Sequence, residues 1–437
     1  MPGTSFDASR DASRGVSRSG ADRCPGVLRL TEAADGFLAR VRLPGGLVSA
    51  AQLRVLARLA DGLGDGRAEL TSRGNLQLRG LPATAAAALT GELELAGLLP
   101  SLSHDRVRNV LASPLAGLDH GPDLTGLVRA LDAELCARPA LAELPGRFLF
   151  AIDDGRGDVA GPGADTPPAD VTATVLAGRG VVSGAVSGAV VNGLATGDGQ
   201  DGVVAAMLAC AEAFLELRAG HGGTAWRISD LPGGAGRVRA TVAGRLGLAA
   251  SAPADHPVAG RPAAGHPAAI RPRPVGLVTR QQTRDGTEPA ATVRDNAVDS
   301  TVRPVPAAAV LLAPLGRLTA AQLIWIAAQL AGQPARVTPW RSIVLPEPAA
   351  PAGVLRAAAG LGLGTGDGSP WLRVTACAGR PGCASALADV QADAVTLADR
   401  WPGRLVHVSG CGRRCGRPAA TEIDVTATSE GYQVAGV

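Results

Sequence analysis

Seven cysteines are present, and four of them stand in two short pairs, Cys377 with Cys383 and Cys411 with Cys415, with five residues inside the first pair and three inside the second. Thiolates so spaced are ligands for a soft metal, provided that the chain reverses sharply within each pair. Gly379, Pro381 and Gly382 supply that reversal in the first pair, and Gly410, Gly412 and Gly416 around the second. Glycine also leaves backbone N–H groups open to inorganic sulfide. The set suits a [4Fe-4S] cluster. Structural zinc is the alternative, and it is disfavoured because zinc modules usually place roughly two to four residues inside each pair. The other cysteines, Cys24, Cys136 and Cys210, lack partners at ligand spacing and read as small buried apolar residues. An odd total is also a poor disulfide framework.

The chain has no lysine, so all 42 of its cationic side chains are arginines. Schiff-base and P-loop lysine chemistry are excluded, and planar forks suited to carboxylates and other oxyanions remain. A net charge of +3 argues against a nucleic-acid binder. His104 and His407 are candidates for a mononuclear iron or for proton transfer, with a structural histidine as the competing reading. No triad of two histidines and one carboxylate is legible at readable spacing. DDGRGDV, residues 153–159, is a turn rich in carboxylates.

An internal repeat must position these groups. Residues 46–53 read GLVSAAQL and residues 316–323 read GRLTAAQL. Ser49 and Thr319 are placed as N-caps. Leu53, Leu56, Ala57, Ala60 and Leu63 form one helical stripe, and Leu323, Ile326, Ala327 and Leu330 form another. Leu76 with Leu78, and Ile343 with Leu345, alternate at strand period after the helices. Between the copies, residues 249–305 are rich in Ala, Pro, Arg and Gly without apolar periodicity, and carry His256 and His266. Residues 1–22 lack the apolar core of a secretory signal, and no run of about 20 apolar residues occurs. A cytoplasmic protein with no membrane span is expected.

TACAGRPGC (375–383), SGCGRRC (409–415), LTSRGNLQLRGL (70–81), HDRVRNVLASPLAG (104–117) and the duplicated half-units together resemble the superfamily of sirohaem-dependent nitrite and sulfite reductases. The resemblance implies that Cys377, Cys383, Cys411 and Cys415 hold a [4Fe-4S] cluster, with Cys415 bridging to sirohaem where sirohaem is present. It also implies that Arg73 and Arg108 contact macrocycle carboxylates or a substrate anion. Two lysines complete the site in the reductases; LPGRFLF (144–150) puts Arg147 and Leu149 at the matching positions, and Leu149 can neither donate a proton nor hold an oxyanion.

RCPGVLRLTEAADGFLARVRLPGG (23–46) and GRFLFAIDDGRGDVA (146–160) bring the chain nearest to the precorrin-3B synthases within that superfamily. The resemblance implies an O2- and NADH-dependent monooxygenase of aerobic cobalamin biosynthesis, converting precorrin-3A to precorrin-3B by C20 hydroxylation and γ-lactone formation. Electrons would pass through a reductase or ferredoxin, and a mononuclear iron is a further candidate cofactor. A nitrite or sulfite reductase is the alternative. Arg73, Arg108 and Arg147 are the expected catalytic residues; Arg73, Asn75, Gln77, Arg79, Arg106 and Arg108 are the expected substrate contacts. The expected architecture is α+β: a tail (1–23), a ferredoxin-like half-unit (24–100), a sirohaem-type α/β domain (101–248), a linker (249–304), a second half-unit (305–350) and a [4Fe-4S]-binding domain (351–437).

Overall fold

Each repeated helix, with its apolar stripe, and the alternating strand after it build the same unit twice. The computed structural model describes residues 22, 24–119, 121–160, 164, 166–175, 189–191, 194–196, 199–249, 275–283, 302–397, 400–418 and 420–436. Most of the expected tail and of the expected linker, including His256 and His266, lies outside them.

The first unit runs β1 (Thr31–Ala33), β2 (Gly36–Val41), β3 (Leu47–Val48), α1 (Ala50–Leu63), β4 (Arg67–Leu70), β5 (Leu76–Leu81) and α2 (Ala85–Leu95). An α/β layer follows with β6 (Val110–Ala112), α3 (Thr125–Cys136), β7 (Phe150–Asp153), β8 (Val171–Val175), β9 (Ala189–Val191), β10 (Leu194–Ala195), α4 (Gln200–Ala219) and α5 (Gly234–Leu246). The second unit comprises β11 (Gly276–Thr283), β12 (Val302–Leu312), β13 (Arg317–Thr319), α6 (Ala320–Gln329), β14 (Ala335–Val337), β15 (Ser342–Pro346) and α7 (Pro351–Gly360). The last layer holds β16 (Val374–Ala376), α8 (Val390–Leu397), β17 (Val406–Ser409), β18 (Ile423–Thr428) and β19 (Gly431–Ala435). The architecture is α+β. Both α1 and α6 begin at a capping box, Ser49 with Gln52 and Thr319 with Gln322, which satisfies two otherwise orphaned amides at each helix start.

The two units are interlocked. β13 pairs with β4 and β3 pairs with β14, so each unit lends an edge strand to the five-stranded sheet of the other. Leu53 and Leu56 of α1 share one core with Leu323 and Ile326 of α6. Val354 and Ala358 of α7 lie in that core too, so the second unit continues past the expected boundary at 350. The expected linker is corrected as well, because β11 and the start of β12 pair from Gly276↔Val310 to Thr283↔Val302. Its polar TRQQT run and its prolines hid the strands; Pro306 stands where the register shifts, the place a ladder tolerates a residue without N–H.

In the other two layers β6, β7 and β8 are parallel, as are β16, β17 and β18. Loops beyond the carboxyl ends of parallel strands are where such sheets hold ligands. Among the described residues no helix is long and apolar enough to cross a membrane.

Candidate functional site

Cys377 follows β16 directly and Cys411 lies two residues beyond β17. These strands are adjacent and parallel, with Ala376 opposite Val408, so both loops leave the same sheet edge. All four thiols are free; Cys377, Cys383 and Cys411 are half-buried and Cys415 is exposed. The Gly410 amide donates to Cys377 Sγ at 3.1 Å. Gly379 (φ 64°) packs so closely on Val390 that a Cβ would stand 2.8 Å from its side chain. Arg79 fastens this loop to the first unit: it forms a two-pronged ion pair with Asp35, at 3.0 Å on each arm, and donates to the Gly382 carbonyl at 2.8 Å.

Facing this edge, the Thr71–Asn75 turn between β4 and β5 presents Arg73. With Cys24, Arg40 and Arg147 it lines a cavity of about 390 Å³. Arg73 donates to the Gly146 carbonyl at 3.2 Å, and burial, followed by repulsion from Arg227, pushes its pKa down to about 10. Burial lowers Arg40 as well; its Nη2 donates to Gln77 Oε1 and its Nε is buried without a partner. Arg42 behind it is pushed down to about 9 by burial and donates to main-chain carbonyls. Arg147 is exposed, its guanidinium 4.7 Å from the Trp226 ring centre. The acids nearby are already engaged: Asp22 by Arg106 and the Cys24 and Gly146 amides, Asp170 by the Leu149 and Ile228 amides, and Glu69 by Arg317 and Gln77. The cavity is therefore positively charged and short of anions, which is chemistry for a carboxylated ligand.

The other expected contacts divide differently. Arg108 is corrected to a structural role: it is buried, its Nε and Nη2 each meet Asp132 at 2.7 Å and its Nη1 donates to Leu98 O. Arg79 docks the cysteine loop, and Arg106 pairs with Asp22. Asn75 is buried, accepting from the Leu43 amide and donating to Asn109. Gln77 orients Arg40. Motif position cannot tell a guanidinium that meets an internal carboxylate from one that meets a ligand. Arg40, Arg42, Trp226 and Arg227 were missed because nothing local marks them; the absence of lysine was the only hint.

His104 is buried, with Nδ1 on the Ser101 and Ser103 hydroxyls and Nε2 on the Arg138 carbonyl, a structural arrangement. His407 bonds Thr375 through Nδ1 at 2.8 Å, its buried ring lies against the Cys415 main chain, and burial pushes its pKa down to about 4. Leu149 is fully buried against Leu111, Ala151 and Val159, and its side chain offers no donor.

Among the described residues the one trio of His, Cys, Asp or Glu whose donor atoms lie within 4.8 Å of one another is Asp153, Asp154 and Asp158, at the end of β7 and in the loop after it. Asp153 accepts four loop amides, Asp154 meets Arg156, and Asp158 accepts from Ser113 at 2.6 Å. Burial, then the Asp153 charge, pushes Asp158 up to about 7 from 3.8. Because the folded value is the higher one, the stability from a protonated Asp158 is complete below about pH 4 and lost as pH rises through 7. Asp158→Asn stays neutral. Its stability advantage over the parent should grow from near zero below about pH 4 to roughly 2–4 kcal/mol at pH 8 in urea titrations; an advantage independent of pH would refute the assignment.

Comparison with known proteins defines the class first. Residues 30–96 match the model of the nitrite/sulfite reductase ferredoxin-like half domain. The NirA protein of Mycobacterium tuberculosis has the same fold, with a TM-score of 0.62 at 21% identity over 91% of this chain and 74% of that one. The chain thus has the nitrite/sulfite reductase fold. The precorrin-3B synthase of a Sinorhizobium species is 27% identical over 432 residues, 94% of this chain and 81% of that protein. The ferredoxin–nitrite reductase of Leptolyngbya laminosa is 38% identical over 124 residues, and this chain spans only 24% of that relative's length.

Proposed function

We propose that this chain is a tetrapyrrole-modifying oxidoreductase of the precorrin-3B synthase type. The observation that carries the reading is the cavity of Arg40, Arg73 and Arg147, short of carboxylates and sharing Ser72 with a second cavity that is lined by Thr375 and Gly416 beside the cysteines. A substrate with several acetate and propionate groups supplies what that cavity lacks. Likeness along the whole chain to a precorrin-3B synthase supports the same reading.

The donor set fits a [4Fe-4S] cluster: four free thiols in glycine-rich loops on one edge, more widely spread than ligands of a single zinc, and one already accepting a backbone N–H. When bound, the cluster supplies electrons one at a time. The arginines hold and orient the macrocycle carboxylates, and the Arg147–Trp226 pair covers one wall. Hydroxylation at C20 of precorrin-3A takes one atom of O2 into the new C–O bond; the other leaves as water after two electrons, ultimately from NADH through a reductase or ferredoxin, and two protons. Lactone closure onto the ring A acetate follows. Leu149 disfavours the alternative, because six-electron reduction of nitrite or sulfite needs cationic donors where this chain has a buried leucine.

The test is the absorption spectrum of protein purified without oxygen, before and after dithionite. The expected result is a broad iron–sulfur shoulder that bleaches, with no haem bands, and oxygen-dependent consumption of precorrin-3A. Intense sirohaem bands with nitrite or sulfite turnover would establish the reductase instead, and a colourless zinc protein would overturn both.

A further inference from the structure

The repeat places a second charged turn opposite the first. Thr71 Oγ1 accepts from the Arg73 and Asn75 amides, and the Thr71 amide donates to Asn75 O. In the second copy Thr338 Oγ1 accepts from the Trp340 and Ser342 amides, and the Thr338 amide donates to Ser342 O. The turns are the same; their side chains are not. Where the first turn has Gly74 at φ 65°, the second has Arg341 at φ 62°, a left-handed conformation that strains any residue with a Cβ.

Strain of this kind persists where the surroundings hold it. The Arg341 stem lies over Gly316 (φ 81°), where a Cβ would come within 2.8 Å of its Cδ. Its Nη1 is buried with no hydrogen-bond partner among the described residues, and burial lowers its pKa. Its charge reaches His407, whose buried ring lies against the Cys415 main chain. Arg341 lines a separate cavity of about 300 Å³ with Trp340, Trp371, Thr375, Gly416 and Ser72. Gly416 follows Cys415, and Ser72 also lines the Arg73 cavity, so the two cavities meet at that residue. Neither lobe alone holds a four-ring macrocycle.

Resting on the tetrapyrrole reading, we infer that Arg341 is a specificity-determining residue: it receives one carboxylate on the macrocycle edge opposite the edge held by Arg73, with Trp340 and Trp371 as apolar walls for the intervening ring. An anion with a flat apolar body matches a lobe that pairs a half-buried guanidinium with two indoles.

The experiment is fluorescence titration of the full chain with uroporphyrin I, an octacarboxylate, using the parent, Arg341→Gly and Arg341→Lys. Glycine suits the backbone here, as Gly74 shows, so Arg341→Gly should melt at the parent temperature or higher. It should bind at least about 10-fold more weakly, whereas Arg341→Lys stays within about 3-fold. Equal affinity of Arg341→Gly and parent would overturn the inference and leave the proposed function standing. A parent that does not bind uroporphyrin would remove that reading and this one with it. A melting shift in nitrite or sulfite that depends on Arg341 would make the lobe a small-oxyanion site and overturn the assignment to the macrocycle.

Discussion

Arg108→Met is expected to lower stability by about 3 kcal/mol or more in urea titrations while leaving the affinity of the folded protein for uroporphyrin I unchanged; Arg73→Met should do the reverse. Both arginines sit in motifs and both read as ligand contacts. Their surroundings separate them. Arg108 is buried with Asp132 across two 2.7 Å bonds, and removal of one partner leaves the other charge uncompensated. Arg73 has no ion pair among the described residues, and its nearest charged neighbours include Arg40 and Arg227. Its loss relieves repulsion, so stability should hold or rise slightly. Affinity should fall about 10- to 100-fold, the worth of charge-assisted hydrogen bonds of ~1.5–3 kcal/mol. If Arg108→Met binds weakly and melts normally, Arg108 returns to the binding site and the structural assignment fails.

How far the sequence carries depends on the range over which each feature is determined. The duplicated helix was legible because cap, capping box and stripe all lie within one short segment, and Ser49–Gln52 and Thr319–Gln322 have the same bonds in the folded chain. The strand exchange was not. β3 has two residues and β13 three, too few to show a period, and their partners lie far away along the chain. The paired cysteines announced metal chemistry because ligand spacing is local. The arginine cavity is assembled from residues 40, 73 and 147, brought together only by tertiary packing, with the Arg227 charge close to Arg73; the sequence supplied Arg73 and Arg147 through their motifs and nothing for Arg40 or Arg227. Arg108 shows the converse, a motif residue in the loop before β6 whose partner, Asp132, lies on α3 and decides its role.

The same logic makes Arg79 the strongest positional test of the cysteine loops. Its side chain is 7% exposed and that of Asp35 is 13%, so their pair is nearly dry. It holds the Gly382 carbonyl at the residue next to Cys383, and a Cβ at Gly382 would come within 2.7 Å of the guanidinium. Arg79→Met should destabilise the chain by about 3–5 kcal/mol, because Asp35 loses its counter-charge. The double change Arg79→Met with Asp35→Leu should recover most of that loss, since a well-packed apolar pair replaces a buried ion pair at little net cost. Neither variant, however, restrains the loop through Gly382. Both are therefore expected to lose the iron–sulfur absorbance to a chelator about 10- to 100-fold faster than the parent, as when a residue that orients metal ligands is removed. Separate readouts make the assignment falsifiable. If the double variant regains both stability and parental chelator resistance, the Arg79–Gly382 bond does not position Cys383, and the ion pair serves the fold alone.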